Sequence, residues 1–75
     1  MILIYKMTGC PYCNKVINYL KTTDLEYKLL DVSDKQAHEE LMQYGGMEQV
    51  PFMFDTDNNK KMYESDDIIE YLSLL

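Results

Sequence analysis

A chain of 75 residues is enough for one small domain with little core in reserve. Thirteen acidic residues stand against seven basic ones, all lysine, for a net charge of −6; with no basic stripe to displace counterions, nucleic acid is excluded as the main partner. The 47% hydrophobic and 12% aromatic content excludes disorder, and no apolar run approaches the roughly 20 residues that span a bilayer. Met1-Ile-Leu-Ile-Tyr-Lys6 carries no basic leader and no small-residue cleavage site, so no signal peptide is expected. Two cysteines are too few for a disulfide-stapled secreted scaffold, and the expected class is a soluble, acidic, cytoplasmic domain.

Met1 to Lys6 is an isoleucine-rich run of the kind buried on both faces of a sheet. Pro11 suits the first turn of a helix, and Cys13, Val16, Ile17 and Leu20 fall on one helical face behind it. Leu25 to Val32 is a second predicted strand, with Tyr27, Leu29 and Leu30 inward. Ser33 and Gln36 form a capping-box pattern opening a helix that carries Ala37, Leu41 and Tyr44 on one face, and Gly45-Gly46 ends it. Pro51 to Asp55 and Lys60 to Tyr63 are strands of a hairpin turned by Asp57-Asn58-Asn59. Ser65 is the expected cap of a last helix, with Asp66 and Asp67 in its first turn and Ile68, Ile69 and Leu72 facing the core. The order β-α-β-α-β-β-α predicts one domain over residues 1–75: a mixed four-stranded sheet, parallel at its start and antiparallel in the hairpin, flanked by three helices.

Cys10-Pro11-Tyr12-Cys13 lies between the first strand and the first helix. Unsatisfied N–H groups and the dipole at a helix start stabilise negative charge, which favours a thiolate at Cys10. Cys13, one turn on, points back toward that end and can reach the Cys10 sulfur. A thiolate nucleophile with a second thiol in reach is the chemistry of disulfide exchange. Three plainer readings compete. A structural disulfide across so short a loop is worth only roughly 2 kcal/mol. Zinc needs four ligands, and only His38 and carboxylates remain to supply them. Two inert buried cysteines would explain neither the spacing nor the position.

The chain resembles the dithiol glutaredoxins of the thioredoxin-like fold. Cys10-Pro11-Tyr12-Cys13 with Tyr5 before it, Gly46-Met47-Glu48-Gln49-Val50-Pro51, and Tyr63-Glu64-Ser65-Asp66-Asp67-Ile68 match the family's three motifs in order. The resemblance implies a glutathione-dependent thiol–disulfide oxidoreductase with Cys10 and Cys13 as catalytic residues and glutathione as co-substrate. It places Tyr12 beside the sulfur, Gln49, the Val50 backbone and a cis Pro51 along the cysteinyl part, and Ser65 and Asp66 at the γ-glutamyl end. It implies no metal, glutathione and disulfide-containing proteins as partners, neither nucleic acid nor membrane, and a monomer.

The sequence also departs from that pattern. Met7 replaces a frequent lysine, with Lys6 its neighbour; Gln49 replaces threonine, Glu48 replaces arginine, and Tyr63-Glu64 replaces a double glycine. His38 falls on a frequent glutamine, where either a contact to the glycyl carboxylate or a solvated surface histidine fits. Glu64-Ser65 is similar to a pair in the N-terminal domain of glutathione transferases, which as a rule lacks the cysteine pair and is followed by a helical domain not seen here. Two other readings remain: an electron donor re-reduced by thioredoxin reductase, and a glutathione-ligated iron–sulfur carrier, which Pro11 and Cys13 disfavour.

Overall fold

The isoleucine-rich start of the chain becomes the middle of a sheet. The computed structural model describes all 75 residues, in the order β1 (Ile2–Lys6), α1 (Pro11–Leu20), β2 (Tyr27–Asp31), α2 (Lys35–Tyr44), β3 (Phe52–Asp55), β4 (Lys60–Met62) and α3 (Ser65–Ser73). The sheet order is β2-β1-β3-β4, with β1 parallel to β2 and antiparallel to β3, and β3 antiparallel to β4. This is the mixed four-stranded sheet the element order predicts and the thioredoxin-like architecture the resemblance implies.

Alternation along β1 and β3 divides the core between the two faces. Ile2, Ile4 and Met53 pack with Val16 and Leu20 of α1 and Ile68 and Leu72 of α3. Tyr5 and Phe52 point the other way and pack with Val32 and with Ala37 and Leu41 of α2. Because β1 is covered on both faces it tolerates almost no polar residue, which is why its sequence reads as a continuous apolar run. No helix is long and apolar enough to cross a membrane.

Three details differ from expectation. Leu29 is exposed, not inward, because β2 is an edge strand; Tyr27 reaches one core cluster and Leu30 the other. The cap of α2 is Asp34, whose carboxylate accepts from the Ala37 N–H at 3.1 Å. Ser33 is drawn instead into a turn in which its N–H donates to Asp31 at 2.9 Å. Ser65 is the first residue of α3 rather than its cap, and Glu64 precedes it at φ 26° with no side-chain bond to the helix. The N–H groups at the start of α3 therefore have no side-chain acceptor.

Topology decides where chemistry can gather. β1 ends, β3 begins and β4 ends at the same edge of the sheet, because β3 runs against both neighbours. The loop into α1, the Val50-Pro51 segment and the start of α3 converge there.

Candidate active site

Cys10 is the N-cap of α1, in extended conformation, and Pro11 follows at the first helical position. Gly9, at φ 81°, makes the turn that delivers the cysteine to the helix start. The Cys10 sulfur accepts the Cys13 backbone N–H at 3.1 Å, so a helix donor is already aimed at the atom that would carry negative charge. Both cysteines are free thiols; Cys10 is partly exposed, and Cys13 is fully buried beneath it. Burial, reinforced by the hydrogen bond with Cys10, pushes the Cys13 thiol up to about 12. The pair is thus asymmetric: an accessible sulfur at a helix terminus and a protonated one held in reserve behind it.

Beside this turn lies a cleft of about 350 Å³ lined by Tyr12, Gln49, Val50, Pro51, Glu64, Ser65 and Asp66. All six residues expected at a glutathione site, distant in sequence, line this one cleft. The Val50–Pro51 peptide is cis. The loop carrying Gln49 is clamped by Tyr63, whose hydroxyl donates to the Met47 carbonyl at 2.9 Å and accepts the Met47 N–H at 3.1 Å. A larger hollow of about 660 Å³ lies along α2, lined by Asp34, Glu39, Glu40 and their neighbours. Neither cysteine lines it, so volume alone is a poor guide here.

The residues weighed for the glycyl carboxylate do not line the cleft. The Lys6 ammonium pairs with Asp31 at 3.4 Å, and His38 Nε2 pairs with Glu48 at 3.3 Å. Asp31 is lowered to about 2, first by the Ser33 backbone N–H and then by the Ser33 and Thr8 hydroxyls. Sequence reasoning missed two participants. Glu64 lines the cleft and accepts from the Gln49 amide at 3.2 Å; its pairing with Ser65 was the available signal. Lys15 forms an ion pair with Asp66, tying α1 to α3; nothing in the sequence joins residues so far apart. No group of three or more histidine, cysteine or acidic side chains is arranged to hold a metal.

A mixed four-stranded sheet with a cysteine pair at the first helix start and a cis proline facing the same edge defines a thioredoxin-like redox fold. Residues 4–74 match the family described as glutathione S-transferase, N-terminal domain, and the chain belongs to that family. It is 30% identical over 74 residues to the N-acetyl-S-hydroxy-L-cysteine reductase of Bacillus subtilis, covering 97% of this chain and 80% of that one. Among solved structures it superposes on a thioredoxin-like protein with TM-score 0.83, 24% identity and full coverage of both chains. It also superposes on buckwheat glutaredoxin in complex with glutathione, with TM-score 0.73, 20% identity, and coverage of 96% of this chain and 67% of that one.

Proposed function

We propose that this chain is a glutathione-dependent thiol–disulfide oxidoreductase that reduces protein disulfides and protein–glutathione mixed disulfides. The observation that carries this reading is the pairing of a partly exposed Cys10, its sulfur bonded by a helix N–H, with a peptide-sized cleft on the same first turn. Cys10 as thiolate attacks one sulfur of the target disulfide; that S–S bond breaks, and the other half leaves as a thiolate that takes up a proton. With a protein target, Cys13 then loses its proton and attacks the Cys10 sulfur, releasing the second thiol and leaving a Cys10–Cys13 disulfide. Two glutathione molecules reverse this, leaving as oxidised glutathione.

In the cleft the Val50 backbone would pair with the cysteinyl residue, while the start of α3 at Ser65 and the Asp66 carboxylate take the γ-glutamyl end. The relative's S-hydroxy substrate is open to the same attack: the S–O bond breaks, hydroxide leaves, and Cys13 resolves the mixed disulfide. The test is reduction of a small glutathione mixed disulfide, driven first by glutathione and then by thioredoxin reductase. Turnover with glutathione that is lost in Cys10→Ser supports the proposal; turnover only with the reductase overturns its glutathione part.

A second reading, an electron donor re-reduced by thioredoxin reductase, is favoured by one observation. Both side chains weighed for the glycyl carboxylate, Lys6 and His38, are held by the chain's own acids.

A further inference from the structure

We propose that Lys6, anchored by Asp31, is a positioning residue for the resolving step: its ammonium favours the thiolate that Cys13 must become before it attacks Cys10. The inference deepens the redox reading and rests on it.

Alternation puts Ile2, Ile4 and Lys6 on one face of β1. That face is covered by α1, whose buried residues are Cys13, Val16 and Leu20, and Ile2 and Ile4 pack with Val16 and Leu20. The helix runs back along the strand, so its first turn, which carries Cys13, lies over the strand end that carries Lys6. An ammonium therefore closes an otherwise apolar face, beside the buried thiol. It is not a freely solvated one. The Lys6 side chain is only 22% exposed, and Asp31, its register partner on β2, holds the ammonium at 3.4 Å. The anchor is itself fixed, because Asp31 accepts from the Thr8 hydroxyl at 3.1 Å and the Ser33 N–H at 2.9 Å.

Resolution is the step that needs such a group. Cys13 is fully buried, and burial works against its thiolate. The charged and titratable groups at this end are Cys10 and Tyr12 on the same helical turn, Lys6 on β1, Asp31 on β2, Glu64 before α3, and Lys15 paired with Asp66 between α1 and α3. After burial, Cys10 also opposes ionisation of Cys13, whereas the Met7 N–H and the Lys6 ammonium favour it. Once Cys10 is bound in a mixed disulfide its sulfur carries no charge, so burial is then opposed by Lys6 and the Met7 N–H alone. Cys13 loses its proton, its sulfur bonds to the Cys10 sulfur, and the bond from Cys10 to the target sulfur breaks. The target sulfur leaves with the electron pair and takes up a proton, so the target is reduced and the cysteine pair oxidised.

The experiment mixes the reduced protein with excess dipyridyl disulfide, an uncharged probe, and follows release of thiopyridone. Attack by Cys10 releases the first thiopyridone at a rate that rises with probe concentration; attack by Cys13 releases the second at a rate that does not. Lys6→Met should slow the second phase about three- to tenfold while leaving the first within about twofold. It should also move the rise of the second phase with pH upward by roughly half a unit to one unit. Lys6→Arg, which keeps the charge, should bring the second phase back to within about twofold of wild type. Lys35→Met, on α2 across the sheet, should change neither phase. A second phase in Lys6→Met as fast as in wild type, equal slowing of both phases, or a Lys6→Arg variant as slow as Lys6→Met overturns the role of Lys6. Absence of a first phase in the wild-type protein overturns the redox reading itself.

Discussion

The two ends of the sheet treat their polar groups in opposite ways. At the end away from the cysteines, Asp55 is only 2% exposed yet fully partnered. Its carboxylate accepts from the Tyr71 hydroxyl at 2.6 Å, the Asn58 amide at 2.8 Å and the Asp57 N–H at 3.1 Å. Burial pushes that carboxyl up, but these donors outweigh it and hold the group below the ordinary carboxylate range, while Tyr71 is raised in turn by Asp55. At the cysteine end the start of α3 lacks a side-chain cap, Cys10 has one N–H donor, and Glu64 has only an amide. One end closes on itself and ties the β3–β4 hairpin to α3. The other leaves its donors and charges for something else to meet. A small domain with a thin core can leave one end open because the other is so thoroughly bonded.

The contrast can be broken most severely at Cys10. Cys10→Ser should abolish reduction of every disulfide substrate while leaving a cooperative fold, since serine also caps a helix, as coupled assays and thermal melts would show. Cys13→Ser should be nearly as damaging for protein disulfides, where a resolving thiol is required, but should retain turnover of glutathione mixed disulfides. Equal losses in both assays would remove the division of labour between the thiols.

At the closed end, Asp55→Ala should leave activity per folded molecule intact. It should cost about 1–3 kcal/mol of stability, measured by urea unfolding, because Tyr71 and Asn58 lose their acceptor. The wild-type protein should also be acid-sensitive. A carboxyl lowered in the fold stabilises above its unfolded value of about 4 and loses that contribution as pH falls through the folded value. For Asp31 that lower limit is about 2, and Asp55 adds to the same slope. The slope should flatten in Asp55→Ala.

The smallest effect is expected at Asp66. Asp66→Asn should slow turnover with glutathione severalfold and leave Cys10 alkylation by an uncharged reagent unchanged, while Asp67→Asn should do neither. If the two variants behave alike in the glutathione assay, Asp66 is only a partner for Lys15 and the dipole of α3.

All seven elements were legible in the sequence, because periodicity and turn residues are local signals and this fold contradicts none of them. The cysteine motif and the residues lining the cleft, Glu64 excepted, were legible too, through the order of three short segments. What failed was one local choice between two adjacent caps and whatever depends on a neighbour far away in the chain. Ser33 and Asp34 are both good caps, and the choice went to Asp34 because Asp31 draws Ser33 into a turn. Leu29 is exposed because β2 lies at the sheet edge, where alternation does not guarantee cover. The closure of Asp55 by Tyr71 and the pairing of Lys15 with Asp66 join α3 to distant segments, and no local pattern announces either.

Tyr63 links two positions in a way that bears on how this chain can vary. Its ring packs on Phe52 with centroids 4.7 Å apart, and its hydroxyl fills the space beside Gly45. A side chain at position 45 would have its first carbon inside that hydroxyl and 2.9 Å from a ring carbon. Positions 45 and 63 therefore cannot drift independently: a larger residue at 45 is compatible only with a smaller one at 63. That exchange would also free the Met47 amide, so the swap should appear in hydrogen–deuterium exchange as faster labelling of the loop leading to Val50.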